Sequence, residues 1–238
     1  MTFKGWQKTS LIEYPGKIAT VVFTGGCNFR CPFCYNADLV ERPQELADLP
    51  AETVIQYLRE NRSLYQALVV SGGEPTMNTQ IPEFLVEVKK LGLSVGLETN
   101  GTNSNMIARL LEKGLLDYIA VDVKAPLDWE AYSRAAGLKE GNEGLLEEVL
   151  RTLRLLRNCG EVEVELRCTV VPQIHTSDDI LRLAGQLPGH QRFVLQQFIP
   201  EKALDEQLRR EAPFSADVLR KIHLEIGESF SRCELRGI

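Results

Sequence analysis

At 238 residues, 44% hydrophobic and 25% charged, the chain is long enough to bury a core without disulfide or metal staples, and its composition excludes a disordered or fibrous protein. A net charge of −6 argues against a general nucleic-acid binder, because phosphate neutralisation needs surplus Lys and Arg. Residues 1–10 carry no apolar signal region and no stretch approaches the ~20 apolar residues that span a bilayer, so the expected location is the cytoplasm, with no membrane partner.

Residues 1–17 read as a hairpin leading into the main body, with Pro15-Gly16 suited to a type II turn. Val- and Ile-rich runs at 18–24, 67–71, 93–99, 118–123, 162–171 and 193–198 read as six strands. Between them, helical patterns cover 50–62, 81–91, 104–113, 141–158 and 177–187, with another at 215–229 and an extra helix expected within 126–142. Ser177 suits an N-cap, and Gly92 and Gly114 suit helix stops. Strict alternation implies right-handed crossovers and a parallel sheet, and six units are too few for a closed eightfold barrel. The expectation is an α/β fold: one domain over 1–238, an open partial (β/α)6 barrel with parallel strands over about 18–230. A doubly wound open sheet is the runner-up.

Side chains two apart on a strand share a face. In the fifth strand Val162, Val164, Leu166, Cys168 and Val170 alternate with Glu163, Glu165, Arg167 and Thr169. The polar row is expected inside the barrel, where it suggests a cavity for a polar ligand. Arg167 then needs an anion, either that ligand's carboxylate or an internal partner, Glu163 or Glu165.

Three of the six cysteines stand within eight residues, in Gly25-Gly26-Cys27-Asn28-Phe29-Arg30-Cys31-Pro32-Phe33-Cys34-Tyr35. This C-x-x-x-C-x-x-C segment follows the first strand, at the end where such folds build active sites. A cubane takes four thiolates, so three leave one iron open to a ligand. The alternative is zinc with a fourth ligand elsewhere; a C-x-x-C pair is present, but no second pair follows at zinc-finger spacing. Cys159, Cys168 and Cys233 are scattered and read as buried apolar residues, and His175, His190 and His223 as structural or surface residues, not metal ligands.

The cysteine loop, with Ser71-Gly72-Gly73-Glu74-Pro75 after the second strand, resembles the radical S-adenosylmethionine superfamily. That resemblance implies a [4Fe–4S] cluster on Cys27, Cys31 and Cys34 whose open iron chelates S-adenosylmethionine, which is cleaved reductively to a 5′-deoxyadenosyl radical. Gly72, Gly73 and Glu74 would hold the methionine amino group, and Phe33 and Tyr35 would pack on adenine. Glu98 and Asn100, at the end of the third strand, and Asp122 and Lys124, at the end of the fourth, suit carboxylate and ribose hydroxyls. Asp122-Val123-Lys124 resembles an Asp-Leu-Lys element of glycyl-radical activases. Arg167 and Gln197 are further expected contacts, and Glu98, Thr99 and Asp122 stand where some activases bind a monovalent cation.

Residues 8–18, Lys8-Thr9-Ser10-Leu11-Ile12-Glu13-Tyr14-Pro15-Gly16-Lys17-Ile18, resemble anaerobic ribonucleoside-triphosphate reductase activating proteins. Tyr35 departs from the histidine common before asparagine in activases. The expected partners are a large glycyl-radical enzyme and a flavodoxin or ferredoxin donor, and no protein acid or base is nominated, since the cofactor radical is the expected hydrogen abstractor. Activation of another such enzyme, for example a formate-lyase, or radical chemistry on a small molecule are the alternatives.

Overall fold

The computed structural model describes residues 1–157, 159–187, 189 and 192–238; His190 and the last residue of the helix expected at 141–158 lie outside the described residues. Its strands are β1 (Thr2–Phe3), β2 (Gly5–Ser10), β3 (Ala19–Thr24), β4 (Leu49–Pro50), β5 (Ala67–Gly72), β6 (Ser94–Thr99), β7 (Tyr118–Asp122), β8 (Glu163–Val170), β9 (Arg192–Gln197) and β10 (Arg232–Arg236). Its helices are α1 (Ala37–Glu41), α2 (Ala51–Glu60), α3 (Ile81–Lys90), α4 (Ser104–Glu112), α5 (Trp129–Ala136), α6 (Glu143–Arg157), α7 (Ser177–Gln186) and α8 (Ala216–Gly227).

Eight strands form one sheet in the order β10-β9-β8-β7-β6-β5-β3-β2, with only β2 antiparallel to its neighbour. The six expected strands, β3 and β5 to β9, follow one another without a reversal of order. A doubly wound sheet requires such a reversal, so the open partial barrel is the fold. Two features depart from the expectation. β10 extends the sheet beyond the sixth parallel strand, and α7 is capped by Thr176, one residue before Ser177, in a reciprocal capping box with Asp179.

The outward strand faces pack under the helices. Ile107 and Leu110 of α4 are fully buried with Val95 and Leu97 of β6 in the larger core, each such side chain contributing ~1.5–3 kcal/mol. The inward face is layered. Its lower part is a small second core of Tyr14, Ala19, Val21, Ala67, Val69, Tyr118 and Ala120. The small residues leave room for the Tyr14 ring, which the β2–β3 loop inserts against Tyr118 at a centroid distance of 5.1 Å. Above this plug lies the charged row of β8, and above that the strand ends.

Candidate active site

The cysteine loop is held by backbone on both sides. The Glu74 N–H donates to the Gly26 carbonyl at 2.8 Å and the Gly26 N–H to that of Leu39 at 2.7 Å. A Cβ on Gly73 would stand 1.9 Å from the Gly26 oxygen, so glycine there is a condition of this close approach. Opposite, the Arg30 N–H donates to the Ala136 carbonyl at 2.9 Å, and Gly137 ends α5 at φ 64° with no space for a side chain beside Arg30.

Cys27, Cys31 and Cys34 line one cavity of about 1130 Å³ at this end of the barrel, and all six cysteines are free thiols. Burial pushes the Cys27 thiol up to about 11 and Cys31 up to about 12, and moves Cys34 the same way. Thiolates form in such surroundings only against a bound cation, which is what iron supplies. Among the described residues no three Cys, His, Asp or Glu side chains converge as ligands of a single ion do. A cubane asks for less convergence, since each thiolate takes its own iron. The donor set therefore fits the cluster.

Lys124 and Asp122 form an ion pair of 2.9 Å at the end of β7, with the ammonium 6.0 Å from the Phe33 ring centre. Burial opposes the Lys124 charge, but Asp122 and Cys31 outweigh it and raise its pKa above the ordinary value. His175, which sequence reasoning left as merely structural, fixes this corner. Its Nδ1 accepts the Val171 N–H at 3.0 Å, so Nε2 carries the proton and donates to the Lys124 carbonyl at 2.7 Å. Burial holds the His175 pKa down at about 4, which keeps the ring neutral.

Of the expected site residues, all line the cavity except Glu74. Its carboxylate is 1% exposed and turned into the protein. Oε1 accepts from the Thr76 N–H, the Thr76 hydroxyl and the Thr99 hydroxyl, and Oε2 accepts the Asn100 N–H at 2.7 Å. Gly72 and Gly73 face the cavity, and the Glu74 carboxylate beside them ties the end of β5 to the end of β6. Asn100 in turn faces Cys27 and Asn28, and Asn28 donates to Thr102 at 2.8 Å. Asn28 and Thr102 were not singled out in the sequence, because only folding places them together.

The charged row is internally paired. Arg167 lies 2.5 Å from Glu165, 2.6 Å from Glu98 and 3.8 Å from Glu13, and also donates to the Tyr118 hydroxyl. The internal partner is therefore Glu165 rather than Glu163, which pairs with Arg192. Arg236 of β10 brings both terminal nitrogens to within 2.9 Å of Glu165. Of the expected cation ligands, all three line the cavity, with Glu98 paired to Arg167, the Thr99 hydroxyl donating to Glu74 and Asp122 paired to Lys124.

Tyr35 bridges the cysteine loop to the end of β9, its hydroxyl accepting the Ile199 N–H at 2.7 Å and donating to the Gln197 carbonyl at 3.4 Å. The Gln197 amide donates to the Phe214 carbonyl at 2.7 Å, leaving its Oε1 buried without a protein partner among the described residues. Asn36, beside Tyr35, donates to the Gly72 carbonyl at 3.0 Å and joins the two glycine-bearing loops.

A family profile described as "Radical SAM superfamily" matches residues 21–184, well over half the chain, from β3 and its cysteine loop into α7. The chain belongs to the radical SAM superfamily. This radical SAM enzyme is 32% identical over 203 residues to a Methanocaldococcus jannaschii protein named "putative glycyl-radical enzyme activating enzyme", covering 84% of the chain and 81% of that protein. It is 28% identical over 184 residues to the pyruvate formate-lyase-activating enzyme of Clostridium pasteurianum, covering 74% of the chain and 71% of the relative. Among solved structures, Streptococcus suis SuiB bound to its precursor peptide SuiA superposes with a TM-score of 0.71 at 15% identity, over 91% of the chain. The chain spans about half of SuiB, 48%, and that likeness concerns the fold alone. No helix among the described residues is long and apolar enough to cross a membrane.

Proposed function

We propose that this radical SAM enzyme activates a glycyl-radical enzyme, with anaerobic (class III) ribonucleoside-triphosphate reductase as the partner. When bound, a [4Fe–4S] cluster and S-adenosylmethionine supply the reductive carbon–sulfur cleavage that starts such chemistry. Cys27, Cys31 and Cys34 would hold the cluster. The Gly72-Gly73-Glu74 segment would receive the methionine amino group, while Asp122 and Lys124 would meet its carboxylate and the ribose hydroxyls. Phe33, Tyr35 and Gln197 would border adenine. The proposal also keeps a monovalent cation beside the cofactor, for which Glu98, Thr99 and Asp122 would be the ligands.

The observation that carries the reading is the pairing of the cavity's arginines. Arg167, Arg192, Arg232 and Arg236 are each held by glutamates, so their charges are not left over for a phosphorylated or carboxylated small molecule. A large cavity whose arginines are paired suits an uncharged peptide backbone carrying a glycine. The likeness to an activase sequence along 84% of the chain supports the same class, and the residue 8–18 segment favours the reductase as partner. The reading also takes a reduced flavodoxin or ferredoxin as electron donor and the cytoplasm as location.

The test is electron spin resonance after anaerobic incubation of the reconstituted enzyme with S-adenosylmethionine, a reductant and candidate partners. A glycyl-radical doublet on the reductase is expected. A doublet on pyruvate formate-lyase alone would reassign the partner, and cofactor cleavage with no doublet on either would move the reading to a small-molecule substrate.

A further inference from the structure

Cys27 receives two hydrogen bonds in this structure, one from the Phe29 N–H at 3.4 Å and one from the Asn100 side-chain amide at 3.8 Å. The orientation of that amide is over-determined. Its Oδ1 accepts the Thr102 N–H at 3.0 Å and the Thr102 hydroxyl at 2.6 Å, so Oδ1 is committed to donors. Nδ2 must then face Cys27 Sγ and Asn28 Oδ1, the latter at 2.8 Å. Asn28 is itself fixed by donating to Thr102 Oγ1 at 2.8 Å, and the Asn100 backbone by Glu74. Asn100, Thr102 and Glu74 are buried, which shields the Oδ1 side of the web from solvent, while Cys27 and Asn28 are half-buried.

From this closed web we infer that Asn100 sets the reduction potential of the cluster by donating a hydrogen bond to the Cys27 sulfur, with Asn28 and Thr102 as the residues that aim it. The inference rests on Cys27 being an iron ligand. An N–H directed at a ligating sulfur withdraws electron density from the iron and favours the reduced state, which raises the potential. A reductive cleavage needs the opposite, a low potential, so an aimed side-chain donor, added to the Phe29 N–H, limits how reducing the cluster becomes and how readily its physiological donor charges it.

The experiment is a redox titration monitored by electron spin resonance on the reconstituted full chain, without S-adenosylmethionine, so that loss of a cofactor contact has no influence. Asn100→Ala is expected to shift the potential to more negative values. Asn28→Ala should shift it the same way by less, and the double variant no further than Asn100→Ala, because both act through one hydrogen bond. An unchanged or more positive potential in Asn100→Ala would overturn the inference. If Asn100→Ala holds no cluster, Asn28→Ala decides alone. Loss of the cluster from both variants would assign the web to assembly and overturn a tuning role. Iron and sulfide analysis of the unmodified protein is read first: a chain that assembles no cluster refutes the ligand assignment and this inference together.

Discussion

The Glu74 carboxylate accepts the backbone N–H of Asn100 at 2.7 Å, joining two strand ends that lie 26 residues apart in sequence. Its other oxygen accepts the backbone N–H of Thr76 at 2.9 Å. A glutamine here would set its NH2 against one of these two N–H groups. Glu74→Gln is therefore expected to cost about 1–3 kcal/mol through one unsatisfied buried donor, measured as a lower urea midpoint. It should also lower cluster loading as well as cofactor affinity, because the Asn100–Cys27 contact hangs on the same carboxylate. Normal stability with weakened cofactor binding alone would give Glu74 a direct contact with the cofactor and no structural role.

Glu13 is the surplus acid of the barrel interior. Glu13, Glu98, Glu163, Glu165 and Glu234 meet Arg167, Arg192, Arg232 and Arg236, five carboxylates against four guanidiniums. Burial, and then the Glu98 carboxylate, push the Glu13 pKa up to about 7. A raised acid binds a proton in the folded state that the unfolded state releases. Its stabilising contribution is complete below its ordinary pKa of 4.5 and is lost as pH rises through 7. Glu13→Gln should therefore flatten the decline in urea midpoint between pH 5 and 8 and be the more stable form at pH 8. Parallel pH profiles for the two proteins would remove Glu13 from that role.

His175 works in the opposite direction. Burial holds its pKa at about 4, below the ordinary 6.5, so acid protonates the unfolded chain first. Stability attributable to this residue is present above pH 6.5 and falls as pH drops towards 4, by roughly 2 kcal/mol between pH 7 and pH 5. Denaturation of the unmodified protein and His175→Asn at both values checks this: the variant should lose most of that pH dependence, and an equal loss in both would contradict it.

The three loop cysteines and the scattered ones should separate on iron content. Cys31→Ala is expected to lose the cluster after anaerobic reconstitution, while Cys159→Ala retains it, as read by iron and sulfide analysis and visible absorption. A redox-active cluster in Cys31→Ala would contradict the ligand assignment.

Much of this architecture is legible in the chain because it rests on local rules. The six parallel strands show as Val- and Ile-rich runs, α5 as a pattern in the loop after β7, and the inward face of β8 as a period of two. β10 was not legible, since Arg232, Glu234 and Arg236 look like a solvated tail until Glu165 and Arg192 are brought beside them. The inner charges of β8 predict a polar ligand when read alone; in the fold they serve largely one another. Glu74 shows the same limit. A Gly-Gly-Glu segment marks the place, but the destination of its carboxylate depends on Thr99 and Asn100, a full helix and strand later.

The activase reading comes down to where one hydrogen atom goes. The partner enzyme, prepared with deuterated glycine, is incubated anaerobically with the reconstituted protein, reductant and unlabelled S-adenosylmethionine, and the released 5′-deoxyadenosine is examined by mass spectrometry. Deuterium in the 5′-deoxyadenosine, dependent on Cys27, Cys31 and Cys34, is the expected result. Unlabelled 5′-deoxyadenosine with every glycyl-radical partner tried would contradict it.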